Sequence, residues 1–230
     1  MRPTVLLFDV DGTLVTTGGV GRRALTRAFR EAYGREDACA HFSFDGMTDR
    51  AIARNGLTAI GVDVTPERID ALLSDYVRFL REEIARGGRQ GYIVHAGIPE
   101  ALAAASGRNT IALGLGTGNL REGAMAKLEP VGLHDRFTFG GFGCDAEDRA
   151  ALIRRGAERG AETLGHPLEA CRVVIIGDTP KDVDAARAMG AQCIGVGTGG
   201  FTAEALAEHG ATWAFPDLCA PGALDVLLDG

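Results

Sequence analysis

Residues 4–15, Thr4-Val5-Leu6-Leu7-Phe8-Asp9-Val10-Asp11-Gly12-Thr13-Leu14-Val15, decide the fold. The apolar run Thr4–Phe8 is too short for a typical helix and reads as a buried strand. It ends on two carboxylates, Asp9 and Asp11, followed by Gly12, which permits a tight turn. Two carboxylates at the open end of a buried strand repel each other. A divalent cation would relieve that repulsion, and hard oxygen ligands suit Mg²⁺. Taken alone, the same residues also fit an ordinary polar exit from a strand.

Outward from this stretch, the pattern of a short apolar run ending in polar residues repeats. Thr110–Leu115 leads into GTGN at 116–119, and Arg172–Ile176 leads into GDTPKD at 177–182. Gln192–Val196 leads into GTGG at 197–200, and Thr212–Phe215 leads into Pro216. Phe137–Phe139 is a further strand candidate. Helical spacing of apolar residues fills the gaps at Pro99–Ala105, Leu120–Val131, Asp148–Leu164 and Asp182–Met189. Strands alternating with helices predict βαβ units and an α/β fold, a doubly wound, Rossmann-like parallel sheet. Ligands of such sheets sit at the carboxyl ends of the strands, where these polar clusters fall.

The segment from about Gly18 to Gln90 has no convincing strand. Gly21–Tyr33, Thr48–Ile60 and Pro66–Ala85 read as amphipathic helices whose apolar stripes are core faces. Gly18 and Gly19 on one side, and Gly87, Gly88 and Gly91 on the other, predict hinge joints. The expected organisation is a core of residues 1–17 and 91–230 and a small all-helical insert of residues 18–90.

Two further motifs bear on chemistry. Asp178 and Asp182 follow the strand at 172–176. Asp182 alone is explained by a helix N-terminus. Asp178 joins Asp9 and Asp11 only if the two strands are neighbours. Three acids at one sheet edge would make a metal site with positions open to phosphate oxygens. Thr117, Gly118 and Asn119 offer a hydroxyl and backbone N–H groups near a helix start, which suits an anion and equally suits a plain helix cap. The Gly195–Gly200 stretch lacks the G-x-G-x-x-G context and reads as a turn beside the site. Arg22 and Arg23 lie near the first hinge, where they would attract an anion.

Composition excludes several classes. The chain has 230 residues, 46% hydrophobic and 24% charged, a globular balance. Its net charge of −7 argues against general nucleic-acid binding and against a polybasic membrane anchor. Cys39, Cys144, Cys171, Cys193 and Cys219 form no C-x-x-C pair, and the five histidines show no ligand spacing. Mostly buried thiols, no signal segment and a cytoplasmic location are expected.

Taken in order, these motifs resemble the haloacid dehalogenase superfamily of phosphohydrolases. Asp9-Val10-Asp11-Gly12-Thr13 looks like its first motif, Thr117 its second and Gly177–Asp182 its fourth. The helical insert, with Phe44-Asp45-Gly46-Met47-Thr48-Asp49, resembles the C1-type cap of phosphoglycolate-phosphatase-like members. The resemblance implies a Mg²⁺-dependent phosphatase acting on a small phosphorylated metabolite. It makes Asp9 the nucleophile and Asp11 the general acid and base. Mg²⁺ would be held by the Asp9 carboxylate, the Asp11 carbonyl and Asp178, with Asp182 in support. Thr117, Gly118 and Asn119 would hold the phosphoryl group together with a cation. Lys127 fits one family location for that cation, and Arg149 competes with it. The presence of Asp11 favours phosphoryl transfer over dehalogenation. A phosphomutase or phosphotransferase using the same residues, or a non-catalytic binding module, are the alternatives. Neither nucleic acid nor membrane is an expected partner, and the chain would be a monomer or small homo-oligomer.

Overall fold

The computed structural model describes residues 2–87 and 90–230. The predicted hinge residue Gly88 lies outside the described residues.

The chain runs β1 (Thr4–Phe8), β2 (Val15–Thr17), α1 (Val20–Tyr33), α2 (Asp49–Ala59) and α3 (Pro66–Gly87). It continues with β3 (Tyr92–Val94), α4 (Ile98–Ser106), β4 (Ile111–Gly116), α5 (Arg121–Leu128), β5 (Phe139–Gly141) and α6 (Arg149–Leu164). The last elements are β6 (Arg172–Gly177), α7 (Pro180–Met189), β7 (Gln192–Val196), α8 (Ala203–His209), β8 (Trp213–Phe215) and α9 (Ala223–Asp229).

Six strands form a parallel sheet in the order β5-β4-β1-β6-β7-β8. Every residue of β1 is buried, as a strand covered on both faces requires. Leu6 and Phe8 pack with α4, α5 and α9 on one face, and Val5 and Leu7 with α6, α7 and α8 on the other. The sheet is doubly wound. Each fully buried Leu or Phe contributes about 1.5–3 kcal/mol, so β1 anchors both layers. The register aligns Phe8 with Leu115 on β4 and with Ile176 on β6. Asp9, Thr117 and Asp178 are therefore delivered to one sheet edge.

The fifth strand occupies Phe139–Gly141, two residues beyond the predicted Phe137–Phe139. Phe137 is a buried core residue packed on Phe8, with ring centroids 6.2 Å apart, so its apolar character reflects packing off the strand. The predicted helix Leu120–Val131 ends at Leu128, and Glu129–Val131 forms a 3₁₀ turn at Pro130. β2 and β3 form an antiparallel ribbon that periodicity did not expose, because three-residue strands are too short to show alternation.

The faces of α1, α2 and α3 share a hydrophobic cluster of their own, built on Phe29, Leu57, Leu72 and Phe79 and joined by Ala126 of α5. The chain leaves for these helices at Gly18 and returns at Gly91, and the two glycines lie side by side at the end of the β2–β3 ribbon. Cys39, Cys171 and Cys193 are buried, whereas Cys144 and Cys219 are exposed. Among the described residues no helix is long and apolar enough to cross a membrane.

Candidate active site

A cavity of about 320 Å³ lies between the carboxyl edge of the sheet and the helical block. Its floor comes from the loops after β1, β4 and β6.

Asp9 sits just past the end of β1, where its N–H donates to the Ile176 carbonyl at 2.9 Å. Its Oδ1 accepts from the Val10 N–H at 2.8 Å, and its Oδ2 accepts from Arg149 Nη2 at 2.8 Å. Burial pushes the Asp9 carboxyl up to about 6. Arg149 pulls against that shift, Asp182 adds to it, and Thr117 and the Val10 N–H pull it down.

Asp178 lies beside it at the end of β6. Burial first, then repulsion from Asp9 and Asp182, pushes its carboxyl up to about 8. Its Oδ1 accepts from Thr13 Oγ1 at 2.9 Å. Gly12 closes over it with a φ of +81°, and a Cβ there would stand 2.3 Å from Asp178 Oδ2. Only glycine fits this turn, because both the left-handed backbone and the carboxylate leave no room for a side chain.

Asp182 arrives from the first turn of α7. There it forms a capping box with Thr179, its Oδ2 accepting from the Thr179 N–H at 3.1 Å and the Thr179 hydroxyl at 2.7 Å. Its Oδ1 accepts from Arg149 Nε at 3.0 Å and Nη2 at 2.5 Å. Arg149, from the start of α6, thus bridges Asp182 to Asp9. Burial opposes its charge, but the two carboxylates outweigh burial and raise its pKa.

Oxygens of Asp9, Asp178 and Asp182 lie within 4.8 Å of one another, and all three residues are buried. Three carboxylates face one guanidinium, which leaves a buried surplus of negative charge. An all-oxygen donor set with that surplus fits a hard divalent cation such as Mg²⁺. Asp182 is committed to Arg149 and Thr179, so Asp9 and Asp178 are the carboxylates left to hold one.

Asp11 stands apart from this cluster. Its Oδ2 accepts from Lys127 Nζ at 2.6 Å and Asn119 Nδ2 at 2.9 Å. Its side chain is 44% exposed, against 8% for Asp9. One carboxylate is therefore fixed in the floor, while the other reaches into the cavity on a cationic support. Lys127 comes from the last turn of α5 and also donates to Asn119 Oδ1 at 2.6 Å. Burial works against its charge, but Asp11, Tyr76 and Asp49 more than offset that and raise its pKa.

Thr117 is fully buried, and its Oγ1 accepts from Asn119 Nδ2 at 2.8 Å and the Asn119 N–H at 3.3 Å. Asn119 enters the site through its side-chain amide, which links Thr117, Asp11 and Lys127. Gly118 carries the approach of the helical block. Its carbonyl accepts from the Asp49 N–H at 2.8 Å, and a Cβ on Gly118 would stand 2.3 Å from the Met47 carbonyl.

The sequence-predicted residues divide into two groups: Asp9, Asp178 and Asp182 with Arg149, and Asp11, Asn119 and Lys127 with Tyr76. The two cations weighed for one place occupy two different places. Thr13 and Tyr76 carry contacts that the sequence left unassigned, and Asp49, in the predicted cap segment 44–49, bonds to the core. Asp49 accepts from the Leu120 N–H at 2.8 Å, and burial pushes its carboxyl up to about 6. Its clue was Thr48, which caps α2 by accepting from the Ala51 N–H at 3.2 Å and so places Asp49 in the first turn. Thr198, in the predicted turn at 195–200, donates to the Gly12 carbonyl at 2.6 Å, and Gly199 and Gly200 line the cavity.

The doubly wound sheet carries its acidic cluster at the carboxyl edge, where α/β proteins bind their ligands. Residues 3–190 match the model of the haloacid dehalogenase-like hydrolase family, and the chain belongs to that family. Comparison with curated proteins gives no match. Among solved structures, the chain is similar to CbbY from Rhodobacter sphaeroides in complex with phosphate, at 21% identity and a TM-score of 0.70. That match covers 98% of this chain and 100% of that one. It is also similar to a hydrolase from Pseudomonas syringae, at 22% identity and a TM-score of 0.64, over 97% of this chain and 96% of that one. A predicted phosphoglycolate phosphatase from Haemophilus somnus 129pt is 15% identical with a TM-score of 0.66, over 98% of this chain and 96% of that one. At these identities the likeness is one of fold.

Proposed function

We propose that the chain is a Mg²⁺-dependent phosphatase that hydrolyses a small phosphate monoester through an aspartyl-phosphate. The observation that carries this reading is the contrast between the two acids of one motif. Asp9 is buried and held by Arg149, while Asp11 is half-exposed and held by Lys127 and Asn119. A nucleophile needs a fixed position, and a proton carrier needs access to the leaving group and then to water.

In this reading Asp9 attacks phosphorus, forming a carboxylate O–P bond as the ester O–P bond breaks. Asp11 gives its proton to the departing oxygen. It then takes a proton from the water that attacks the aspartyl-phosphate, which restores Asp9. Lys127 and Asn119 hold the Asp11 carboxyl in one position for both steps. Thr117 and the adjacent N–H groups receive the phosphoryl oxygens. Arg149 fixes Asp9, and Asp182 fixes Arg149. Asp9, Asp178 and the Asp11 carbonyl would hold Mg²⁺, which supplies charge neutralisation between nucleophile and phosphate.

The helical block of residues 18–90 serves as a cap on the core formed by residues 1–17 and 91–230. Its closed position is supported by Arg54 Nε to Glu147 Oε1 at 2.8 Å and by Arg149 Nη1 to the Gly46 carbonyl at 3.3 Å. Such a lid excludes bulk water and admits small substrates.

The test is inorganic phosphate release from a panel of small esters with and without Mg²⁺. Release that ignores Mg²⁺, or no release from a folded, Mg²⁺-binding chain, would sink the reading. Transfer to a sugar hydroxyl without phosphate release would point to a mutase instead.

Asp11→Asn tests the proton carrier. Turnover of an alkyl phosphate is expected to fall by about 10²–10⁴-fold, the usual contribution of general acid–base catalysis. Formation of the aspartyl-phosphate from p-nitrophenyl phosphate should fall much less, because that leaving group departs unprotonated. Burst kinetics separate the two steps. Equal losses for both esters in the first step would remove Asp11 from leaving-group protonation.

The acidic cluster also predicts a pH effect on stability. The Asp178 carboxyl is raised from 3.8 to about 8 in the fold. The folded chain therefore binds this proton more tightly than the unfolded chain does. The stability it contributes is full below about pH 4 and is lost as pH rises through about 8. In chelator the melting temperature should decline across that window. Added Mg²⁺ should raise it more at pH 8 than at pH 5, as thermal melts would read. An equal shift at both pH values would contradict binding at Asp9 and Asp178.

A further inference from the structure

Three cations line the cavity among the described residues: Arg22, Lys127 and Arg149. Lys127 is ion-paired to Asp11, and Arg149 to Asp9 and Asp182. Arg22 alone among them has no carboxylate partner.

Its guanidinium is nevertheless held in place. The carbon at its centre lies 3.8 Å from the centroid of the Phe44 ring, and Nη1 donates to the Cys39 carbonyl at 3.1 Å. Stacking covers one face and the carbonyl uses one N–H, which leaves further donors of the fork unassigned. A stacked, tethered arginine loses less side-chain entropy on meeting an anion than a free one does.

The neighbouring residue shows the contrast. Arg23 donates to Glu83 Oε2 at 3.3 Å and the Gly18 carbonyl at 2.6 Å, and it does not line the cavity. Around Arg22 the helical block presents mainly apolar side chains to the cavity: Leu25, Phe44, Met47 and Ile52. Asp45, the residue after Phe44, lies on the side of Gly200 and Lys181. Its Oδ2 stands 3.8 Å from a Cβ built on Gly200, and its carbonyl accepts from Lys181 Nζ at 3.1 Å.

We propose that Arg22 is a specificity-determining residue that binds a second anionic group, a carboxylate or another phosphate, on the leaving group of the substrate. This assignment rests on the phosphatase reading and narrows it. The preferred substrates are small dianionic esters, with the phosphate on the Asp9 side and the second anion at Arg22, joined by a short carbon spine.

The experiment uses three esters on one three-carbon spine: 3-hydroxypropyl phosphate, 3-phosphonooxypropanoate and propane-1,3-diol bisphosphate. Wild type should favour one or both charged esters over the hydroxyl ester in kcat/KM by about tenfold to a hundredfold, the size of one charge-assisted hydrogen bond. Which charged ester leads distinguishes carboxylate from phosphate. Arg22→Met should bring the ratio near one, Arg22→Lys should keep part of it, and Arg23→Met should leave it at the wild-type value.

Competition by propylphosphonate and 3-phosphonopropanoate on unmodified protein provides a readout that needs no variant to fold. Calorimetric binding of the same pair needs no turnover. If no ester is hydrolysed yet 3-phosphonopropanoate binds tenfold tighter in an Arg22-dependent way, the phosphatase reading fails and the anion site stands. A wild-type ratio near one, or a ratio that Arg22→Met leaves unchanged, overturns the assignment.

Discussion

Asp9→Asn is expected to reduce phosphate release by about 10⁴–10⁶-fold, the scale seen when an enzyme's nucleophile is removed. The amide keeps the shape of the carboxylate but cannot form the acyl phosphate. The fold should survive, because burial raises the Asp9 carboxyl to about 6: its charge is less favourable in the fold than in water. Its loss relieves repulsion with Asp178, the amide oxygen keeps one of the two contacts, to the Val10 N–H or to Arg149, and Arg149 keeps its bond to Asp182. The expected pairing is near-zero turnover with a melting temperature in chelator at or above that of wild type. Phosphate release from Asp9→Asn within tenfold of wild type would remove Asp9 as the nucleophile. Inactivity with a collapsed fold would instead give Asp9 a structural role.

Arg149→Leu has the largest expected effect on stability. Arg149 is set between Asp9 and Asp182, and its side chain is 9% exposed beside side chains of 8% and 0%. Removing one partner of a buried ion pair costs about 3–5 kcal/mol, because the partners keep their desolvation cost without compensation. Urea denaturation at pH 7 should show that loss with an unchanged m value. At pH 5 the loss should shrink, since Asp9, with its carboxyl near 6, then takes up a proton and no longer needs the guanidinium. Arg149→Lys should retain part of the stability but lose the fork that bridges two carboxylates. A leucine variant as stable as wild type at both pH values would show that Arg149 does not hold this cluster together.

The two predictions differ in how far the sequence supports them. The role proposed for Asp9 comes from the family resemblance of its motif, and that motif lies within one local stretch. The role of Arg149 does not. In sequence it is one residue of GCDAEDR, 140 positions from Asp9, and it shares the features of any arginine at a helix start. Lys127 suited the place of the phosphate-facing cation by its position in the helix after Thr117. In the fold it meets Asp11, because Asn119 turns its amide inward and Tyr76 of the helical block closes the other side. Element boundaries show the same division. The apolar runs located the sheet, but the edge strand β5 moved two residues, since an apolar triplet packs equally well beside a strand as within it.

The sequence by itself determined the layered α/β fold, the amphipathic helices α1, α2 and α3 and the acids that end β1 and β6, because these depend on periodicity and on residues adjacent in the chain. Tertiary structure alone decided which acid meets which cation, and that Arg22 and not Arg23 lines the cavity. Charge pairing depends on distances of a few ångströms, set by how β1, β4 and β6 register and by how closely Gly118 lets the helical block approach. No local pattern in the chain encodes those distances.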